Sequence, residues 1–314
     1  MTASVLRQLV LMLGNIVGVI VLCFLFHQFL EHQQQLPWWQ SLWQFVRAIV
    51  SGELGTTQDG APIIQEFFRR LPATIELWIS AIVLAFLIGI PAGVMAATQR
   101  LRWPDRVVEI FALIGFSLPV FWWALLLVLW FSLELEITPV SERIGFFYDI
   151  EPVTGFILID SLLAHEKYGI EAFLNALLHL LLPVAVLAIL PIALVTRVTK
   201  TYLVNVLSSD YIRMARGQGF SERRLVWKHG LANIAAPILQ IFSLQLSSLF
   251  TGVFLIEAIF SWPGVSAWLL ERVQVGDYDT VIMGGFLLAS LLVVVNALMD
   301  SISTLADPRR RRAR

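Results

Sequence analysis

Charged positions along this chain gather into clusters, and the intervals between the clusters are long apolar runs. Six of these runs carry no formal charge over at least 19 residues: 8–30, 77–97, 110–133, 172–196, 231–256 and 281–299. A helix crossing a bilayer core needs roughly 20 predominantly apolar residues, so each run predicts one membrane-spanning helix. The runs are too long and unbroken for the alternating strands of a membrane barrel, and their internal Pro and Gly are tolerated in membrane helices. The first run is longer than a signal-peptide core and ends in FHQFLEHQQQL without a small-residue cleavage site, so it is read as a retained helix. Two shorter stretches are amphipathic. In 38–50 the apolar positions are 39, 42, 43, 46 and 50, and Trp38, Trp39 and Trp43 suit a headgroup layer. In 63–71, Ile64, Phe67, Phe68 and Leu71 form a second stripe. Both are expected as interfacial helices that either brace the external surface or belong to a docking face.

Composition agrees: 58% of the 314 residues are hydrophobic and 14% charged, against roughly 45–50% and about 25% in soluble domains. A soluble enzyme and a disordered chain are both excluded. One cysteine, Cys23, excludes a disulfide framework within the chain. The net charge of −1 conceals an asymmetry. Of the 22 Lys and Arg, 16 fall at one set of span ends, including Arg100, Arg102, Arg106, Lys200 and the arginines of 309–314. The other set carries six and an acidic loop over 134–171. Basic residues accumulate on the cytoplasmic side, so both termini are expected there. The acidic loop is expected outside, either holding a partner or cationic substrate or forming a solvated cap. The expected fold class is an all-α polytopic membrane protein with six transmembrane helices. Its expected organisation is a tail and first span (1–30), an external segment with interfacial helices (31–72), a five-span core (73–308) with a cytoplasmic loop at 197–230, and a basic tail (309–314).

That loop carries the most specific pattern, DYIRMARGQGFSERRLVWKHGLAN. Ser208, Ser209 or Asp210 can cap a helix through 211–217, Gly217 and Gly219 permit a sharp break, and Ser221 can cap a second helix over 222–229. Ala215, three residues, Gly219 and then nine residues before HGLAN resemble the EAA-x3-G loop of ATP-binding cassette importer permeases. The form here is similar to that of the dipeptide and oligopeptide permeases. RLPATIEL at 70–77, GFSLPVFWWALLL at 115–127, TPVSERIG at 138–145, PVTGFILID at 152–160 and FSWPGVSAWL at 260–269 match the same family in order. Arg213 and Met214 occupy the acidic and first alanine positions, and no PGDP-type stretch follows the first span. The short region before Gly52 looks like the Sap-type, antimicrobial-peptide branch.

The resemblance implies a type I importer permease fold and a role as one permease subunit. The implied partners are a second homologous permease, two cytoplasmic ATP-binding subunits and a periplasmic substrate-binding protein, in contact with membrane lipid and without nucleic acid. It further implies that residues 208–233, through Arg213, Ala215, Arg216, Gly219, Ser221, Arg223, Arg224, Leu231 and Asn233, dock on an ATPase. The arginines then either pair with acidic groups there or serve topology and anionic lipid. ATP and Mg belong to the partners, and no cofactor or metal is expected on this chain. The chain has no G-x4-G-K-[ST] and no G-x-S-x-G, so it is expected to be non-enzymatic. Polar residues within spans are costly and mark candidate pathway positions: Glu257, Asn175, His179 and Asn296. Asn175 and His179 lie four apart on one helical face; interhelical hydrogen bonding and cavity lining both fit them. A self-contained secondary transporter for a small cationic solute is the rival, and the substrate stays open among dipeptide, oligopeptide, antimicrobial peptide and polyamine.

Overall fold

The computed structural model describes residues 2–30 and 37–306. The basic tail at 309–314 lies outside them. Helices account for every regular element among the described residues, beside one isolated antiparallel bridge between Thr56 and Pro62. They are α1 (Thr2–Leu30), α2 (Trp38–Ser51), α3 (Ile63–Thr98), α4 (Trp103–Ser117), α5 (Val120–Leu127), α6 (Ile157–Leu163), α7 (His165–Leu207), α8 (Asp210–Gly217), α9 (Glu222–Arg224), α10 (Leu231–Ile259), α11 (Val265–Val275) and α12 (Tyr278–Ala306). A π-helical stretch, Val128–Glu134, extends α5, and another, Leu225–Gly230, joins α9 to α10.

Four helices are long and apolar enough to cross a membrane: Val10–Leu30, Ile63–Thr98, His165–Leu207 and Tyr278–Ile302. Two further helix pairs qualify by length and composition but are sharply bent, so the number of spans is four to six, six if each bent pair crosses as one. The third expected span is therefore not one straight helix. Trp103–Ser117 and Val120–Glu134 meet at 104°. The cause is local: Pro119 disfavours helical backbone at the residue before it, and Leu118 is extended at φ −115°, ψ 142°. The fifth is bent by 58° between Glu222–Ser243 and Ser248–Ile259. The interfacial stripe at 63–71 is also not a separate helix. Nothing between it and the second span breaks the backbone, so it forms the first turns of α3.

The described chain divides into two compact units. The first comprises, of the described residues, 2–30, 37–76, 141–177 and 257–298. Here Phe24 of α1, Phe45 of α2 and Ile282 of α12 form a small core, with the Phe24 and Phe45 rings edge to face at 5.9 Å. Helix α2 thus has one apolar face, with Leu42, Phe45 and Ile49, packed inward. Its other apolar stripe, with Trp39, Trp43 and Val50, is exposed. On α1, Val17, Leu22, Phe26 and Phe29 are likewise exposed, as befits a helix whose solvent is hydrocarbon.

The second unit comprises, of the described residues, 77–140, 178–256 and 299–306. Its core joins Val94 and Ala97 of α3 to Val198 and Leu203 of α7, Val226, and Ile234 and Ile238 of α10. Small residues bring α3 and α7 close. A Cβ on Gly89 would lie 2.9 Å from the Val195 Cβ, and one on Gly93 only 2.6 Å from the Thr199 Cβ and 2.7 Å from the Thr196 carbonyl oxygen. Without a hydrophobic drive between helices in lipid, such close backbone packing is what holds them together. Gly93→Val is expected to force α3 and α7 apart. The yield of monodisperse protein by size-exclusion chromatography should fall several-fold, whereas Gly285→Val, where a Cβ meets nothing within 4 Å, should leave it near wild type.

Candidate functional site

The loop between α7 and α10 is built as two arms around a glycine. Ser209 precedes α8 with extended backbone, but neither serine caps it through its side chain. Instead Ser208 Oγ donates to the Val204 carbonyl at 2.6 Å and Ser209 Oγ to that of Val206 at 2.5 Å, closing the end of α7. Gly219 adopts φ +87°, a region open to glycine and costly for most side chains. Gly217, by contrast, stays in the helix. Arg216 reaches across the turn to Glu222 with two bonds, Nε to Oε1 at 2.5 Å and Nη2 to Oε2 at 3.1 Å.

The second arm departs from expectation. The helix starts at Glu222 after Ser221, but it is not a free helix ending at 229: it passes through Leu225–Gly230 directly into α10. At Gly230 a Cβ would lie 2.6 Å from Leu203 Cδ1 and 3.3 Å from the Leu225 carbonyl oxygen, so a larger residue there would have to displace the Leu203 side chain. The inner side of the loop, Ile212, Leu225 and Val226, is buried. Asn233 ties the arms together, donating to the Tyr211 hydroxyl at 3.1 Å and the His229 carbonyl at 2.7 Å. Arg224 lies over the Phe220 ring at 5.6 Å, Arg213 donates to the Ser208 carbonyl at 3.3 Å, and Arg223 is exposed. Ala215 and Leu231 are half-buried. Met214, Tyr211 and Trp227 present apolar surface outward. The result is a braced projection with a buried inner side, exposed cations and a few exposed apolar side chains, suited to docking and carrying no nucleophile–base pair.

In the first unit, four of the quoted segments converge. Glu257 has no exposed surface. Its carboxylate accepts from Thr74 Oγ1 at 2.6 Å and from the backbone N–H groups of Ser266 and Ala267 at 2.8 and 3.0 Å. Thr74 Oγ1 in turn accepts from the Val265 N–H at 2.9 Å, and Trp262 Nε1 donates to the Ala73 carbonyl at 2.9 Å. A Cβ on Gly264 would overlap the Glu257 carboxylate. Beside this, Arg143 Nη2 pairs with Glu76 Oε2 at 2.5 Å, donates to the Gly155 carbonyl at 3.0 Å and lies 5.4 Å from the Trp262 ring centroid. Glu76 also accepts from the N–H of Leu158 at 3.0 Å. Asp160 accepts from the N–H groups of Thr154 and Gly155 at 2.8 and 2.9 Å.

The expectation that Glu257 exposes its charge to a pathway is thereby corrected. Its lone pairs are occupied by backbone donors and the Thr74 hydroxyl, so it is a brace between α3, the end of α10 and α11. Asn175 Oδ1 accepts from the Gly145 N–H at 2.7 Å, which holds the loop before α6. His179 and Asn296 are half-buried, and neither lines the apolar cavity of the second unit between α4, α5, α7 and α10. That cavity, of about 320 Å³, is bounded by Phe116, Val120, Pro191, Phe242, Leu249 and Leu255. Sequence reasoning missed it and the Arg143–Glu76 pair alike. The quoted motifs TPVSERIG and RLPATIEL contained both partners of the pair, without a local signal that they meet.

The model of the family described as binding-protein-dependent transport system inner membrane component matches residues 89–312. Among curated proteins, the chain is 42% identical over 281 residues, 88% of this chain and 82% of the relative, to the di/tripeptide transport system permease protein DppB of Pseudomonas aeruginosa. It is 34% identical to the dipeptide transport system permease protein DppB of Escherichia coli, over 99% of both chains. It is equally 34% identical to the peptide transport system permease protein SapB of Salmonella typhimurium, over 96% of this chain and 95% of that one. The chain belongs to the family of binding-protein-dependent transport system inner membrane components. It is a multi-pass inner-membrane permease subunit, without catalysis or cofactor of its own, that works with a separate ATPase and a binding protein. The identity to the P. aeruginosa permease exceeds that to SapB, so the leaning toward the Sap-type branch is not upheld.

Proposed function

We propose that this chain forms one half of the membrane pathway of a short-peptide importer, paired with a second homologous permease and driven by two ATP-binding subunits. The permeases it is similar to are named for di/tripeptide, dipeptide and peptide transport at 42% and 34% identity and, at 32%, for putrescine export; the higher identity to the di/tripeptide permease favours peptides over polyamines. The family match displaces the secondary-transporter rival. The observation that carries the coupling role is the Arg216–Glu222 clamp across Gly219, in a loop continuous with α7 on one side and α10 on the other. A push on such a braced projection moves two membrane helices as bodies rather than deforming a flexible linker. Residues 208–233 would seat in a cleft of one ATPase, with the termini and the 309–314 tail on that same cytoplasmic side.

The acidic loop after α5 would then face the binding protein. Phe146 and Phe147 stand 82% and 77% exposed on it, with ring centroids 3.9 Å apart. The loop is pinned before the pair by Arg143 and the Gly145–Asn175 bond, and after it by the Asp149 N–H, which donates to the Tyr168 hydroxyl at 3.2 Å. A preorganised aromatic pair can anchor a partner at little ordering cost. The test is uptake of a labelled dipeptide by proteoliposomes holding the complete transporter. Uptake should require ATP and the binding protein, and F146A/F147A should raise the binding-protein concentration for half-maximal uptake about tenfold, equivalent to about 1.4 kcal/mol. Peptide uptake in the absence of any ATPase subunit would overturn the reading.

A further inference from the structure

We propose that the turn between α3 and α4, residues 99–106, binds the headgroups of anionic phospholipid on the membrane face from which the coupling loop projects. The turn is held in an unfavourable conformation. Leu101 has φ +66°, outside the comfortable range of a branched side chain. It is kept there by its N–H, which donates to Asp105 Oδ2 at 2.9 Å, while the Arg102 N–H closes the turn on the Gln99 carbonyl at 3.0 Å. Asp105 is itself buried and paired with Lys200 of α7, which also pairs with Glu109. Strain that the surroundings over-determine in this way points to a use for what it presents.

What it presents is Leu101 and Trp103, 79% and 75% exposed, between the exposed guanidinium groups of Arg100, Arg102 and Arg106. None of these three arginines forms an ion pair among the described residues. Arg100, Arg102, Arg106 and Lys200 outnumber the two carboxylates Asp105 and Glu109, so the turn is net cationic. Trp103 also begins the exposed face of α4 that continues through Val107, Ile110, Phe111 and Ile114, the i, i+4, i+7, i+8 and i+11 positions of one helical stripe. A tryptophan at the end of such a stripe marks the boundary between hydrocarbon and headgroups; Arg100 and Arg102 precede it at the level of lipid phosphates, and Arg106, in the first turn of α4, can extend its side chain back to that level. A cavity of about 410 Å³ opens beside them, lined by Arg100, Arg106 and Lys200 together with Asp105 and Glu109. The continuity with the α4 face selects lipid over a soluble partner.

The inference rests on the permease reading only for placing the chain in the membrane; it is tested without transport. The complete transporter is exchanged into nanodiscs of phosphatidylcholine and phosphatidylglycerol in equal parts, and retained lipid is counted by native mass spectrometry. Wild type should retain phosphatidylglycerol in preference. The R100Q/R102Q/R106Q variant should lose about tenfold of that enrichment, while R100K/R102K/R106K should keep most of it, since the attraction depends on charge near the surface. The ATPase should co-purify with both. Unchanged enrichment in the Gln variant would overturn the proposal. So would loss of the ATPase with unchanged lipid, which would assign the turn to that partner. Should the triple Gln variant fail to assemble, the single Arg→Gln variants are read in the same assay, and no loss in any of them overturns it.

Discussion

Arg143→Met is expected to destabilise the assembled transporter by about 3 kcal/mol, seen as an earlier thermal transition of the purified complex. The side chains of Arg143 and Glu76 are 15% and 4% exposed, so removing the guanidinium leaves a carboxylate that water reaches poorly. Breaking a buried pair from one side is far costlier than replacing both partners, because the remaining charge is uncompensated. Glu76 would keep the Leu158 N–H and would lose its only cation among the described residues. The Arg143 link to the Gly155 carbonyl would go with it, loosening the segment from 141 to 157 that presents Phe146 and Phe147. The double variant R143M/E76Q should recover much of the loss. Equal destabilisation by the single and double variants would show that packing against Trp262, rather than the charge pair, holds the segment.

Gly219→Val is expected to lower ATPase co-purification roughly tenfold. Gly219 sits at φ +87°, and no atom lies within 4 Å of where a Cβ would stand, so the effect would come from backbone conformation and not from a clash. An L-residue in the left-handed region costs about 1–2 kcal/mol, more for a β-branched side chain, and a free-energy change of that size is a factor of roughly 5–30 in an equilibrium. The turn would open and the Arg216–Glu222 clamp would lose its geometry. Asparagine tolerates left-handed backbone, so Gly219→Asn should stay close to wild type. Membrane insertion should be unchanged in both. If valine and asparagine behave alike, the glycine matters for steric access at the docking face and not for the turn.

These two sites differ in how far the amino-acid order reveals them. The loop was legible because its features are local: Ser209, Gly219 and Ser221 mark the ends of arms only a few residues long. The four unbroken spans and the two bent pairs were legible as charge-free runs. The bend at Leu118–Pro119 was written in GFSLPVFW, but a run of apolar residues gives no weight to one proline unless backbone geometry is considered. Glu257 misled because a carboxylate at the end of a span reads as exposed charge. Its donors are Thr74, 183 residues earlier, and two amides presented by the turn into α11. The Arg143–Glu76 pair spans 67 residues, and only tertiary folding brings it together. The exposed turn at Leu101 was invisible for a related reason, since neither a positive φ nor the Asp105 bond that sustains it leaves a trace in residue types.

The coupling claim is tested most directly by cross-linking. Cys23 is the sole cysteine, so Cys23→Ser yields a background in which Ser221→Cys is the only thiol in this chain. In inverted membrane vesicles containing the complete transporter, a short thiol–amine cross-linker should join residue 221 to the ATP-binding subunit, with a yield that changes when nucleotide is added. Reaction of residue 221 with the binding protein, or its labelling only from the periplasmic side, would contradict the account.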